Sequence, residues 1–358
     1  NINPGFFLYN GGSLTNQSAS SINNSGSLTN TGTLQNEGSF NNYSGAIIGN
    51  NSTINNSGIL TNYSGGTLTN WSAISNTGTI DNSGWLDNQS SSTFNNMGLL
   101  NNNATGLLAN IFGGLLTNSD TLNNRGTLNN WGTLNNDLIL INYTGASLNN
   151  NGSITNSGYV TNNGVVDGVG TYVQNAGKTI NNGSMTQALV NIQGGSLSGA
   201  GNINGNVMIA SGASVMPGNS PGTMTINGNF DSNGTLQFEI AGLLSGYYDV
   251  LDINGTAAFA GGTIEFYFIN SFSAAAGNSW DFLFAYSILG WDKLNYDVDG
   301  LAAGLTWEIV DIDGGKRLLI TNEGGGSGNS VPVPATIILF IPGLAGLAAF
   351  RKKLIPQK

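Results

Sequence analysis

From Leu8 onward the chain repeats one short phrase: an apolar residue, any residue, then asparagine. Twenty-four consecutive apolar positions, from Leu8 to Val160, keep an asparagine two residues later. Leu28, Leu34, Phe40, Ile48, Ile54, Leu60, Leu68, Ile74 and Ile80 form the clearest run, with Asn30, Asn50 and Asn70 among the partners. Every step between these positions is six or eight residues. Side chains alternate across a strand, so only even steps keep the same face turned inward. An amphipathic helix needs apolar residues three and four apart, and its interior tolerates little Gly or Asn. The phrase therefore predicts a short strand followed by a corner.

A strand with one large inward side chain cannot bury itself. It becomes stable when successive turns of a coil stack about 4.8 Å apart and their apolar side chains form a continuous column. Residues 26–45, 46–65 and 66–85 are blocks of 20 with apolar positions at the same three offsets. The prediction is an all-β protein: a parallel β-solenoid with three short arms of six to eight residues per coil of 20. Its strict part holds about eight coils and extends roughly 40 Å. Asparagine suits the corners because it tolerates the left-handed conformation, and stacked amides can bond to their equivalents above and below.

The beat weakens after Asn162. Val166 has Gly168 in the asparagine place, Val173–Asn175 and Ile180–Asn182 are spaced by seven, and the register then dissolves. Alternating runs such as "GTLQFEI" and "GGTIEFYFI", separated by glycine clusters, predict an antiparallel all-β region that caps or continues the solenoid. Four parts are expected: a solenoid over 1–205, a β-rich capping region over 206–323, a Gly/Ser linker over 324–330 and a hydrophobic tail helix over 331–358.

Composition narrows the function. Only 8% of the residues are charged, against about a quarter in an average globular protein. The chain has no cysteine and no histidine, which removes thiol catalysis, disulfides, Cys/His zinc sites and Ser-His-Asp chemistry. Net charge is −10, and four of the nine basic residues lie in the last eight positions. The rest is strongly acidic, which excludes nucleic acid as a partner. A start at Asn1 is read as a mature end after removal of a leader.

Two stretches resemble known families. "PGNSPGTMTINGNF" (217–230) and "DVLDINGTAAFAGGTIEF" (249–266) resemble the closing region of autotransporter-type β-helix passengers, and the Asn-rich repeats are similar in style to filamentous-haemagglutinin-like solenoids. Val331, Pro332, Pro334 and Ala335, an apolar run to Phe350, then Arg351, Lys352 and Lys353 resemble a PEP-CTERM sorting tail, although Val333 stands where that motif has glutamate. The resemblance implies export from a Gram-negative bacterium, a transient anchor in the inner membrane, processing by an exosortase-type protease and release to the cell surface or the exopolysaccharide matrix.

Chemistry is sparse. Solenoid acids are scattered, with Asp81 and Asp87 on successive arms, so the carboxylate convergence of a β-helical glycosidase is not expected, and no catalytic or cofactor-binding residue is assigned. The calcium candidates are Asp297 and Asp299 in "DVDG" and Asp311 and Asp313 in "DIDGG"; neither pair continues into a full calcium-binding loop. Tyr43 and Tyr63, 20 apart, should stack and, with Tyr143, offer a sugar-binding stripe. The expected function is structural or adhesive, in the extracellular biofilm matrix. The alternatives are a filament subunit that assembles with itself and a polysaccharide-binding β-helix.

Overall fold

Each phrase of the repeat forms a strand of four residues, as in Ser27–Asn30, Thr33–Asn36 and Ser39–Asn42. The second and fourth residues are buried and the first and third face outward. The computed structural model describes residues 1–323, and within that range the chain winds into an all-β parallel solenoid of about a dozen coils. Each short strand pairs, parallel and in register, with the third strand along, so that Leu28 meets Ile48 and Ile48 meets Leu68. A six-residue step is a four-residue strand plus a two-residue corner; an eight-residue step puts two more residues in the corner, as at 43–46. Both leave the strand register untouched.

The coils pack too closely for side chains at some corners. A Cβ on Gly78 would lie 2.2 Å from the Gly58 carbonyl oxygen, which explains the glycine that so often precedes the strand. Inside, Leu28, Leu34, Phe40, Ile48, Ile54, Leu60, Leu68 and Ile80 are wholly buried, and Ile74 is almost so. Burying one such side chain contributes about 1.5–3 kcal/mol.

The asparagines are not corner residues. They are the last residues of their strands, none of them is among the non-glycine residues with positive φ, and their amides point inward. Asn30 Nδ2 donates to Asn50 Oδ1 at 2.8 Å and to the Thr53 carbonyl at 2.8 Å. Asn50 repeats this with Asn70 (2.7 Å) and Ala73 (2.8 Å), and Asn70 with Asn88 and Thr93. Both amide hydrogens are used, and each oxygen accepts from the coil before. The expectation of a left-handed corner residue is thus replaced by a buried amide that needs an inward strand position.

Where the ladders stop, other polar groups close them. With Gly168 in the asparagine place, Asn150 reaches past it to Gln187 Oε1 at 2.6 Å. Gln174 accepts from Asn156, and Asn181 accepts from Asn162 at 2.7 Å. Tyr172 and Gln174, rather than Val173 and Asn175, point inward, followed by Thr179 and Asn181 rather than Ile180 and Asn182. The odd step between Tyr172 and Thr179 is absorbed by a three-residue corner in which Gly177 has φ 74°.

The following region does not turn antiparallel as expected. Strands Ser184–Ile192, Asn202–Ile209, Thr235–Ile240 and Thr263–Phe268 keep parallel pairing, and the strand Asn202–Ile209 runs across position 205. Among the described residues, antiparallel ladders join only Ser279–Leu289, Leu305–Ile312 and Gly315–Asn322, beside isolated antiparallel bridges at Gly199–Gly218 and Ile240–Tyr248. Amides give way inside to rings: Phe238, Phe266 and Phe282 pack with centroids 4.8–5.6 Å apart. Arg317 grips Asp281 with two bonds, at 2.5 and 3.0 Å.

The ladder makes a specific prediction. Asn76→Ala leaves Asn56 without its acceptor and Asn96 without its donor. Two orphaned buried groups should cost about 2–5 kcal/mol, whereas Ser75→Ala on the outward face should change stability by less than about 0.5 kcal/mol. Hydrogen exchange should speed up first in Thr53–Asn56 and Thr93–Asn96, the strands on either side.

Candidate functional site

Outward positions carry whatever chemistry the solenoid offers. Most are Thr, Ser or Asn, and some form secondary ladders: Asn41 donates to Asn23 at 2.9 Å and Asn101 to Asp81 at 2.7 Å. Asp81 and Asp87 lie in different sheets, so their carboxylates do not converge.

Tyr43 and Tyr63 stack, with centroids 5.1 Å apart and planes at 11°. Each ring thus covers one face of the other. Tyr143 stands at the same corner four coils further on, behind Ser83, Asn103 and Arg125. At a coil spacing of about 4.8 Å it is some 19 Å from Tyr63. The Arg125 guanidinium sits 4.1 Å over its ring. The three tyrosines are therefore a pair and a separate residue rather than a continuous stripe.

Asp297 and Asp299 lie on the strand Asn295–Asp299, opposite Glu265 and Tyr267. Asp311 pairs with Lys316, and Asp313 lies in the adjoining turn. Desolvation, the hydrogen bond it donates to Glu265 and the nearby carboxylates of Glu265, Asp297 and Asp299 all push the half-buried Tyr267 hydroxyl upward. Among the described residues, no three acidic side chains gather in an arrangement that could hold a metal ion. The sorting-tail residues Val331, Pro332, Pro334, Ala335, Arg351, Lys352 and Lys353 lie outside the described residues.

One polar recess was missed by the sequence reading. A cavity of about 280 Å³ is lined by Lys178, Ser198, Glu239, Asp249 and Tyr267 beside the loop 217–222. Asp249 is buried, and its two oxygens accept the N–H groups of Gly222 (2.7 Å) and Glu239 (2.8 Å). Desolvation pushes its carboxyl up to about 7, eased by those two N–H groups and reinforced by Glu239. Ser220 donates its hydroxyl to Glu239 across the loop. With both oxygens committed to backbone, Asp249 anchors the loop. In the sequence it is one acid beside another, Asp252, ahead of and within the strand Val250–Phe259, with nothing to set it apart.

Neither a family model nor a curated protein matches this chain. Its function must therefore be argued from geometry.

Asp249 supplies a pH prediction. Unfolded, its carboxyl titrates near the ordinary 3.8; folded, it keeps its proton to about 7. The stability tied to that proton is present below the lower value and lost as pH rises through the upper one. The melting-temperature difference between the unaltered chain and Asp249→Asn should fall between pH 3.8 and 7 and then level. A difference independent of pH would show that the carboxyl is charged throughout.

Proposed function

We propose that this chain is a structural rod of the extracellular matrix, acting through shape and surface rather than catalysis. The observation that carries this reading is the unbroken buried amide ladder beneath an outer surface of hydroxyls and amides. A coil of three arms is the mechanical unit in this reading. Its apolar column supplies cohesion and its amides fix the register between coils, so bending the rod would require breaking both. A surface with so few charges suits a hydrated, sugar-rich setting, where fixed charge would bind counter-ions and make the rod salt-sensitive.

The tail completes the proposal. The apolar run before Phe350, with Arg351, Lys352 and Lys353 behind it, would hold the chain in the inner membrane with its basic end on the cytoplasmic side. Cleavage near Pro332 and Pro334 by an exosortase-type protease would then release it to the cell surface or the exopolysaccharide matrix. The test is expression in a Gram-negative host that has such a protease. The reading expects the chain in the matrix fraction, with an intact mass lacking the residues after about Val331. Recovery only inside the cell, in hosts with and without the protease alike, would contradict it.

A further inference from the structure

One outward face of the solenoid differs from the others. It is built from the strands Ile47–Asn50, Thr67–Asn70, Trp85–Asn88, Leu107–Asn110 and Thr127–Asn130, stacked in that order. Trp71 and Trp131 occupy the same corner position, directly after Asn70 and Asn130. Gly49 lies one coil before Trp71, and its place for a Cβ is 3.2 Å from the Trp71 ring, so the indole lies down on the backbone there. Ala109 has the corresponding position one coil before Trp131 and is only 3% exposed. Trp85 projects between them, its Nε1 donating to Asp87.

The three indoles are 49%, 50% and 40% exposed for Trp71, Trp85 and Trp131. A planar ring with one face down and half its area free presents its other face to solvent. Trp71 and Trp131 follow strands three coil steps apart, so they span about 14 Å along the solenoid. Thr67 and Thr127 stand half-buried in the same row as Ile47, Trp85 and Leu107, whereas Thr69 is buried. The ionisable side chain on these outward positions is Asp87, nearly buried, bonded to Trp85 and pushed by burial toward its neutral form.

We propose that this tryptophan face is a binding platform for a neutral polysaccharide chain lying along the solenoid. Aromatic faces take the C–H faces of pyranose rings, as they take other apolar surfaces, while their edges stay wet. Thr67 and Thr127 each offer a hydroxyl to the sugar hydroxyls. With no basic side chain on these outward positions and its one carboxylate turned to Trp85, the face offers nothing to an anionic polymer. Asp87 is a positioning residue that fixes the tilt of Trp85. The site is distinct from Tyr43 and Tyr63, whose rings cover each other. The inference rests on the matrix-rod reading and names the partner that such a rod would hold.

Affinity electrophoresis of the full chain in native gels containing hydroxyethyl cellulose, dextran or alginate tests it. A neutral-glucan gel should retard the chain, with little change on adding salt, and alginate should not. Each indole replaced by alanine should weaken retardation roughly threefold to tenfold. The triple Trp71→Phe, Trp85→Phe, Trp131→Phe variant should keep part of it. Far-UV circular dichroism and melting temperature identify any variant that fails to fold, and quenching of tryptophan fluorescence by the glucan in the unaltered chain reads the same contact without mutation. Retardation only by alginate, equal retardation of the folded alanine variant, no retardation in either neutral gel, or tryptophan-dependent self-association without glucan binding would each overturn the platform. In such a case a chain still recovered from the matrix fraction leaves the rod reading standing.

Discussion

The structure depends on the second hydrogen of the asparagine amide. An Asn stack that bonded only to itself would leave one N–H per residue without a partner in a dry interior, at a cost of about 1–3 kcal/mol each. Here that hydrogen reaches a strand carbonyl in the following coil, as from Asn36 to Ile59 at 3.0 Å and from Asn62 to Trp85 at 3.0 Å. One side chain therefore joins its own strand, the amide above and the next strand around. A leucine column alone would tolerate sliding between coils; the amides make each offset distinct.

The same requirement accounts for the transition near residue 170. Once Gly168 omits an amide, the ladder must be bridged or ended, and Gln187, Gln174 and Asn181 do so with longer or displaced side chains. Tyr172, Thr179 and Gln174 then form a small buried polar plug, in which desolvation pushes the Tyr172 hydroxyl well up. Beyond it the amides that still stack, Asn204, Asn227 and Asn254, lie on the outside, and among the described residues no buried amide ladder constrains strand length. Strands lengthen, rings fill the interior, and a final antiparallel pair lies against Ser279–Leu289.

Much of this was legible in the sequence because the even steps from Leu8 to Val160 have one structural solution. The inward set, the blocks of 20 and the parallel stacking all follow from it. Four features were not legible. Alternation over 234–269 is the same for parallel and antiparallel pairing, so "GTLQFEI" and "GGTIEFYFI" could not reveal their partners. Val173 and Ile180 look like core residues by composition, yet Gly177 shifts the register and leaves Tyr172 and Thr179 inside. Asp249 could not be singled out either, because its role depends on N–H groups 27 and 10 residues away. Gly49 and Ala109 read as filler until the corner after the next strand is seen to carry a tryptophan.

The amide ladder can be observed directly by NMR of the asparagine side chains. The account predicts Nδ2 hydrogens with exchange slowed as strongly as in the strand backbone, and through-space contacts linking Asn30 to Asn50 and Asn50 to Asn70. Rapid exchange at these side chains, or contacts joining asparagines of the same coil in place of those above and below, would contradict it.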